Sequence, residues 1–423
     1  MKYSSSAINS FDDELMGILG VASLQSHLQP ILNLKTKKVI GYEGLIRGIE
    51  AEGGRPISPL PLFEKARSEN RTIEMDRFCR EKVLDLFSAI PDMENNLIFI
   101  NFESSLLDSI GTQNGYFLNQ VAQRRINPSN IVIEIIESKV NHLNTLIRFV
   151  EFYRYHGFMI ALDDMGSGYS NLARLQAIKP DIIKIDRTIV KGMEKDYHRQ
   201  EIFRSLGNLA RKTGTLVLAE GVETEEEAMC AIELDADLAQ GYYFAKPQPY
   251  QTDLKDIPEK IATLTQDRYR RHKVKEIKAL RGRYRLYEDL IRRILEQIKD
   301  RMPDSYESLL EEIIDQTPYL EALYILDRQG KQITETVLSK NIEIKPNRIF
   351  CPARKGDDLS LKKYFYFLVD IELDKYITDS YISLATGNLC RTISVVFTGR
   401  DNKDYVLCMD ISELNGRFVY LYG

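Results

Sequence analysis

Seven short apolar stretches between residues 38 and 243 share one pattern, in which aliphatic residues continue until a polar side chain ends the run. The stretches are KVIGYE, LIFIN, IVIE, FMIALDD, DIIKID, LVLAE and LAQGYY. Such runs are typical of strands buried on both faces of a parallel sheet. Longer amphipathic stretches separate them, such as HLNTLIRFVEFYRYHG and PLFEKARSENRTIEMDRFCREKVLDLF. The alternation predicts an α/β domain over residues 26–255, a suitable size for one (β/α) barrel.

Each stretch carries a polar residue at or near its end: Glu43, Asn101, Glu134, Asp163, Lys184, Glu220 and Gln240. From Asn101 onward the spacings are 33, 29, 21, 36 and 20 residues, which fit strand–helix repeats. The gap of 58 residues before Asn101 requires additional helix. One acidic residue at a strand end is ordinarily a helix cap or a surface charge. Seven in order favour a shared site, because the carboxyl ends of barrel strands meet at one rim.

The residue types in this set indicate a metal site. Carboxylates and an amide, without His or Cys, are the hard oxygen ligands that suit Mg²⁺ or Mn²⁺. Adjacent Asp163 and Asp164 would let one carboxylate bridge two ions, and two ions about 4 Å apart promote phosphodiester hydrolysis. Lys184 adds a compact positive charge that could orient water or neutralise a phosphate. The sequence has neither a Ser–His–Asp set nor a Walker-type phosphate loop.

The bulk properties exclude several classes of protein. A chain of 423 residues is longer than usually folds around a single hydrophobic core, so two or three domains are expected. The net charge of −5 gives no basic field for coating nucleic acid. Five cysteines without a CxxC pair indicate neither a zinc ribbon nor a disulfide framework, and favour the cytoplasm. We expect no signal peptide and no membrane span, since no apolar run approaches about 18 residues.

Longer motifs over roughly residues 25–250 resemble one known family. They are LQPILNLKTKKVIGYEGLIRG, FINFESSLL, IVIEIIES, IALDDMGSGYSNL, IKPDIIKIDRTIV, LAEGVETEEE and AQGYYFAKPQP. Together they resemble the EAL-domain cyclic di-GMP phosphodiesterases of bacteria. The resemblance implies a modified (β/α)₈ TIM-type barrel with one reversed strand. It also implies hydrolysis of cyclic di-GMP to linear pGpG with two Mg²⁺ or Mn²⁺ ions, and no GGDEF-like cyclase motif accompanies it.

The resemblance assigns roles to individual residues. Those matching metal ligands are Glu43, Asn101, Glu134, Asp163, Asp164 and Glu220. Glu220 also matches a proposed base, and the catalytic set adds Lys184 and Gln240, which match residues that hold the attacking water. Nucleotide contacts are expected from Gln29, Leu45, Arg47, Asp186 and Pro247. Glu137 matches a glutamate that steadies the loop after Asp164, and Glu223 matches a further acidic residue near the site.

The chain departs from the family pattern at four positions. The signature triplet is Glu-Gly-Leu at 43–45 where Glu-Ala-Leu is usual, and Gly44 should leave the backbone looser. Met165, Ser167 and Ile136 replace the usual Phe, Thr and Thr. None of these changes deletes a ligand, so an active phosphodiesterase is expected. A catalytically weak cyclic di-GMP receptor that signals through the C-terminal domain stays open as the alternative.

The composition changes after the barrel. Residues 267–300 hold twelve Lys or Arg against six Asp or Glu. A seam in steps of three and four residues runs through them: Ile277, Leu280, Tyr284, Tyr287, Ile291, Ile294 and Ile298. It predicts a linker helix within residues 256–303 that either packs on its own domain or pairs with its twin in a homodimer. We expect its basic flank to be solvated rather than bound to acidic lipid or nucleic acid.

The two ends of the chain complete the predicted organisation. Residues 1–25 form a polar lead-in with a short amphipathic helix. Residues 304–423 form a smaller α+β domain, in which the helix YESLLEEIIDQTP precedes strands in EALYILDRQGKQI, ISLATGNLCRTISVVF and KDYVLCMDIS. This domain more weakly resembles PAS-like or Cache-like sensors. It either binds a small-molecule ligand or serves packing and dimerisation.

Overall fold

A computed structural model describes residues 16–50, 53–103, 115–136, 143–166, 172–250, 269–342 and 349–412. The chain divides into two compact units, Met1–Arg271 and His272–Gly423. Two buried apolar clusters belong to the first unit and two others to the second. Each unit therefore has a hydrophobic core of its own.

The first unit contains a closed eight-stranded barrel. Its nine strands in chain order are β1 (Val21–Asn33), β2 (Lys38–Glu50), β3 (Pro56–Ile57), β4 (Leu97–Phe102), β5 (Ile131–Ile136), β6 (Met159–Met165), β7 (Ile182–Ile185), β8 (Leu216–Ala219) and β9 (Leu238–Ala239). All except β3, which pairs outside β2, form the ring, and β1 closes it between β2 and β9. β1 is antiparallel to both neighbours while the other ring strands are parallel. The predicted modified barrel with one reversed strand is confirmed.

Helices alternate with the strands as the sequence pattern predicts. They are α1 (Pro59–Ser68), α2 (Thr72–Ser88), α3 (Gly115–Gln123), α4 (Leu143–Tyr155), α5 (Leu172–Ile178), α6 (Arg187–Val190), α7 (Tyr197–Thr213) and α8 (Glu225–Glu233). The long gap before Asn101 holds α1 and α2. The amphipathic stretch of residues 61–87 is divided between these two helices near Asn70, whose φ is +57°. Asn tolerates this left-handed conformation better than most residues, and it ends α1 before α2 begins.

The barrel interior is filled by one apolar side chain from each of seven strands. They are Ile31, Phe99, Val132, Ala161, Ile182, Leu218 and Leu238, and all are buried. Their neighbours along each strand, such as Ile98 and Ile100, face the surrounding helices in a separate cluster. The alternation follows from the two-residue period of a strand. The interior is therefore a packed plug, and polar groups can gather only at its ends.

The second unit is an α+β domain built on an antiparallel sheet. Its elements are α9 (Arg270–Ile298), α10 (Tyr306–Asp315), β10 (Leu320–Asp327), β11 (Val337–Leu338), α11 (Lys363–Val369), β12 (Lys375–Ile377), β13 (Tyr381–Ile382), β14 (Leu389–Thr398) and β15 (Asp404–Ser412). The strand order is β11-β10-β15-β14-β12, with β13 beside β14. Within the described part of the chain, no helix is both long and apolar enough to cross a bilayer.

The predicted seam helix exists as α9, but its two halves differ. Tyr287, Ile291, Ile294 and Ile298 are buried in the core of the second unit. Ile277, Leu280 and Tyr284 are exposed. Packing on its own domain, one of the two alternatives for this helix, therefore accounts for its C-terminal half.

Other details also differ from the expectations. β1 already begins at Val21, inside the stretch expected as a lead-in. Gly330 forms the predicted turn with a φ of +83°, and the returning segment pairs with β10 first through an isolated bridge between Gln332 and Leu326 and then through β11. The resemblance of this unit to PAS or Cache sensors stays a prediction.

Candidate functional site

A polar layer lies directly above the apolar plug of the barrel. Six strands place a polar residue two positions after the plug residue: Asn101, Glu134, Asp163, Lys184, Glu220 and Gln240. Because side chains alternate along a strand, each pair points to the same face. The reversed strand β1 contributes Gln29, two positions before its plug residue, and Gln29 pairs with Glu43 on β2. The barrel thus brings together the seven positions that the sequence pattern singled out.

Lys184 lies at the centre of this layer and is almost fully buried. Its Nζ is 2.5 Å from Glu134 Oε1 and 2.6 Å from Glu220 Oε1. It is also 3.5 Å from Asp163 Oδ1 and 3.9 Å from Glu43 Oε1. One ammonium group therefore faces four carboxylates. The pocket keeps an acidic excess that a single lysine cannot neutralise.

Glu43 is held in place by amide side chains. Asn101 Nδ2 donates to Glu43 Oε1 at 2.9 Å, and Gln240 Nε2 donates to Glu43 Oε2 at 2.6 Å. Gln240 Nε2 also lies 3.1 Å from Gln29 Oε1, and Gln29 donates to the carbonyl of Ala245 at 3.0 Å. This chain of hydrogen bonds fixes both oxygens of Glu43.

Burial and charge separate the protonation states of these groups. Burial raises the pKa of Glu134 and of Glu220 well above the usual range, and neighbouring carboxylates raise both further. Burial opposes ionisation of Glu43 too, but Lys184 and the two amide donors lower its pKa overall. Burial would lower the pKa of Lys184, but the four carboxylates raise it well above its usual value. Of these three glutamates, Glu43 is thus the one that ionises most readily.

The donor set fits a hard divalent cation. Both oxygens of Glu134 are buried without a hydrogen-bond partner of normal geometry among the described residues. Carboxylates and an amide oxygen, without His or Cys, are the ligands Mg²⁺ and Mn²⁺ prefer. Across the described ranges, no three acidic, His or Cys side chains are already arranged as a metal centre. The ammonium group of Lys184 lies in the space between the carboxylates.

Comparison with known proteins decides the family. Residues 17–247, more than half of the chain, match the EAL domain. This chain belongs to the EAL domain family. The EAL-domain containing protein YkuI of Bacillus subtilis is 26% identical over 397 residues, which cover 90% of this chain and 93% of YkuI.

Two further similarities are to one solved structure and to one relative that matches over a shorter stretch of sequence. The crystal structure of YkuI, in complex with substrate c-di-GMP and calcium, superposes with a TM-score of 0.78 at 22% identity and covers 98% of this chain and 100% of that one. Identity this low shows the shared fold. The probable cyclic di-GMP phosphodiesterase PdeG of Escherichia coli is 31% identical over 227 residues, 52% of this chain and 44% of PdeG. This chain thus matches less than half of PdeG.

The altered triplet of this EAL domain has a packing reason. A Cβ built on Gly44 would lie 2.2 Å from Cγ1 of Val83 on α2, too close for any real contact. Val83 is itself buried. The space that alanine occupies in the usual triplet is therefore filled from the helix. The expectation of a looser backbone at Gly44 overlooked this compensating side chain.

The paired aspartates of the EAL domain lie at the end of β6. Asp164 has a φ of +58°, and its amide donates to Asp163 Oδ1 at 2.9 Å. Gly166, with a φ of +97°, follows where a Cβ would collide with Ile189. Ser167 and Glu137 lie outside the described residues.

The residues expected to contact nucleotide lie along the rim. Leu45 and Arg47 follow Glu43 at two-residue steps on β2 and are half-buried. His27, which no sequence motif singled out, pairs with Leu45 on the neighbouring strand. Pro247 lies in the segment after β9, next to Gln248, whose backbone pairs with that of Leu28 on β1. His27 could have been found from the antiparallel register, because residues opposite each other share a face.

Two expected residues mainly organise loops. Asp186 caps α6, where its Oδ1 accepts from the amide of Thr188 at 2.9 Å. Glu223 pairs with Arg187 at 2.6 Å, which links the loops after β7 and β8.

Two buried residues that support the site were missed in the sequence. Glu227 accepts hydrogen bonds from the amides of Gly192, Glu223 and Thr224, and it completes a capping box with Thr224. The spacing Thr-x-x-Glu before α8 is the signal that could have identified it. Asp76 forms a buried ion pair with Arg80 and accepts from the amide of Glu103, just after β4. The i,i+4 spacing of that pair was available, but its contact with β4 was not.

Proposed function

We propose that this chain hydrolyses cyclic di-GMP to linear pGpG with the help of two divalent cations. The observation that carries the proposal is the buried polar layer in which Glu43, Glu134, Asp163 and Glu220 surround Lys184. Such an acidic excess suits cations and, through them, an anionic phosphodiester. The name of PdeG and the c-di-GMP complex of YkuI support the same substrate. So does the EAL enzyme Bd1971 in its cAMP and cyclic-di-GMP bound form, with a TM-score of 0.52 at 25% identity over 61% of this chain and 70% of that one.

The residues that would hold the cations are the six predicted ligands: Glu43, Asn101, Glu134, Asp163, Asp164 and Glu220. Glu134 and Glu220, whose pKa values are raised, would have to give up their protons to do so. When bound, the ions would supply a nucleophilic water and neutralise charge on the phosphate. Mg²⁺ and Mn²⁺ both fit this set of oxygen ligands, and we propose that the bound ions are one or the other.

The other residues of the layer position the water and the phosphate. The Nζ of Lys184 can donate to the attacking water or to a phosphate oxygen, because its raised pKa keeps it protonated. Gln240 fixes Glu43 and can present its amide to the same water. Glu220 would accept the proton of the water as its oxygen attacks phosphorus. The bond to the 3′-oxygen then breaks, this oxygen takes up a proton from solvent water, and the product is a 5′-phosphorylated linear dinucleotide.

The rim residues are proposed to bind the nucleotide. Arg47 offers a planar cation for a phosphate or a guanine edge, and Leu45 offers apolar contact. Gln29, Asp186 and Pro247 complete the expected set. We further propose that the second unit regulates the barrel and that the chain acts as a homodimer.

The decisive experiment compares three full-length proteins: wild type, Glu43→Ala and Glu50→Gln. Each is incubated with cyclic di-GMP and Mg²⁺ or Mn²⁺, and pGpG is followed by chromatography. We expect Glu43→Ala to lose at least a hundredfold in turnover, since it removes a charged ligand held by two amides. Glu50 is a matched control on the same strand, because it pairs with Arg55 outside the polar layer.

Binding is measured in parallel by calorimetry with Ca²⁺ in place of the other ions. Full turnover by Glu43→Ala would refute the assignment of the polar layer as the catalytic centre. Tight binding without product in the wild type would instead indicate a receptor. A protein that neither binds nor cleaves cyclic di-GMP would overturn the proposal as a whole.

A further inference from the structure

The N-terminal half of α9 carries an apolar stripe that the second unit does not cover. Val274, Ile277, Leu280 and Tyr284 are spaced by three or four residues and therefore share one face of the helix. They are 45%, 57%, 43% and 44% exposed, whereas the seam is buried from Tyr287 onward. Single exposed apolar residues are ordinary, but a continuous stripe marks an interaction surface.

The same segment is strongly basic. Residues 270–286 contain eight Lys or Arg and one Glu, a net charge of +7 in a chain whose total is −5. Those exposed are Arg270, Arg271, Lys275, Lys278, Arg281 and Arg285. The charge is thus concentrated around the apolar stripe.

The positive charge of this segment indicates what kind of partner binds the apolar stripe. A second copy of α9 packed alongside would place another +7 at close range, and like charges on adjacent helices repel. A nucleic acid would match the charge but offers no apolar surface to the stripe. An anionic bilayer offers both, because charged headgroups lie next to the apolar acyl boundary.

Contrary to the expectation from the sequence that this basic flank is solvated, we propose that residues 270–286, which we call the basic stripe segment, bind the surface of an anionic lipid bilayer. Val274, Ile277 and Leu280 would enter the headgroup boundary, and Tyr284 would keep its hydroxyl in water. The long Lys and Arg side chains would extend to lipid phosphates. This inference does not depend on the phosphodiesterase proposal, since it uses no residue of the barrel.

The test is co-sedimentation of the full-length protein with two kinds of vesicle. One kind is pure phosphatidylcholine, and the other is an equimolar mixture with phosphatidylglycerol. We expect binding to the mixed vesicles only, weakening as salt is raised. Each basic residue near an anionic leaflet strengthens binding roughly fivefold, so Arg281→Gln/Arg285→Gln should weaken it roughly 30-fold.

Two further variants separate charge from apolar contact. Ile277→Gln/Leu280→Gln keeps the charge but should weaken vesicle binding at least tenfold, because it removes the apolar anchor. Arg292→Gln/Lys299→Gln removes the same charge from exposed positions beyond the basic stripe segment and should bind like the wild type. All substitutions lie at exposed positions and use a good helix former, so the fold should be retained.

Several results would overturn the proposal. Equal binding to both vesicle types, no binding to either, or equal loss in the control variant would each do so. Sedimentation velocity without vesicles supplies the remaining check. If the wild type sediments as a dimer that Ile277→Gln/Leu280→Gln converts to a monomer, and if the wild type also does not bind vesicles, a second copy of the chain covers the stripe instead.

Discussion

Individual residues in the polar layer act through their neighbours. Lys184 is buried and charged because four carboxylates surround it, and the raised pKa of Glu134 follows from burial and from the same crowding. Glu43 differs since Asn101 and Gln240 donate to its two oxygens. Similar side chains thus acquire different protonation states from position alone.

Gly44 and Val83 should behave as a coupled pair. Gly44→Ala places a methyl group against Val83, and overpacking of this kind costs about 1–3 kcal/mol. In a Val83→Ala background the space is open, so the same substitution should cost less than about 1 kcal/mol. Chemical unfolding of the four proteins in a double-mutant cycle measures the coupling. Equal costs in the two backgrounds would show that Val83 does not exclude the alanine.

Asp410 should make the stability of the second unit depend on pH. Burial raises its pKa to about 7, although Thr392 donates to its Oδ1 at 2.7 Å. The folded state therefore holds a proton that the unfolded chain releases near pH 4. The contribution of Asp410 to stability should be greatest below pH 4, fall as pH rises from 4 to 7, and be level above 7. The total change is on the order of 4 kcal/mol at most.

The isosteric Asp410→Asn removes this titration. Hydrogen exchange of the β15 amides, corrected for intrinsic rates, should show the variant gaining stability over the wild type as pH rises from 4 to 7. A constant difference across that range would mean that Asp410 does not titrate as described.

At the scale of elements, α9 combines two environments in one unbroken helix. Its heptad seam is uniform in sequence, yet only the half from Tyr287 to Ile298 lies in a core. The local pattern therefore specifies a helix with one apolar face but not what that face contacts.

Ile291→Asp and Ile277→Asp should differ sharply. Ile291 is buried, so an aspartate there would bury an unpaired charge and destabilise the second unit by on the order of 4 kcal/mol. Ile277 is exposed, and the same change should cost less than about 0.5 kcal/mol. Thermal unfolding of both variants checks this. A large loss of stability on Ile277→Asp would show that another part of the protein packs on the N-terminal half of α9.

At the scale of the whole molecule, the two units have separate cores. The clusters of the first unit contain residues between Leu19 and Phe244, and those of the second contain residues between Tyr287 and Ile411. Units with their own cores commonly unfold separately.

Scanning calorimetry of the full chain should show two transitions. Cyclic di-GMP with Ca²⁺ should raise only the barrel transition, by about 2.7 kcal/mol of stability at a ligand concentration of 100 times Kd. The separately expressed residues 1–271 and 272–423 should reproduce one transition each. A single transition that shifts as a whole would instead show that the units unfold cooperatively.

The sequence by itself determined the barrel and the membership of its polar layer. Strand period and strand-end position are local properties, and the closed ring converts Asn101, Glu134 and Asp163, far apart in the chain, into neighbours. Tertiary structure alone decided that Val83 fills the space at Gly44 and that Asp76 reaches β4. It also decided which half of α9 is buried. These contacts join elements whose spacing in the chain carries no information about their distance, so no periodicity could reveal them.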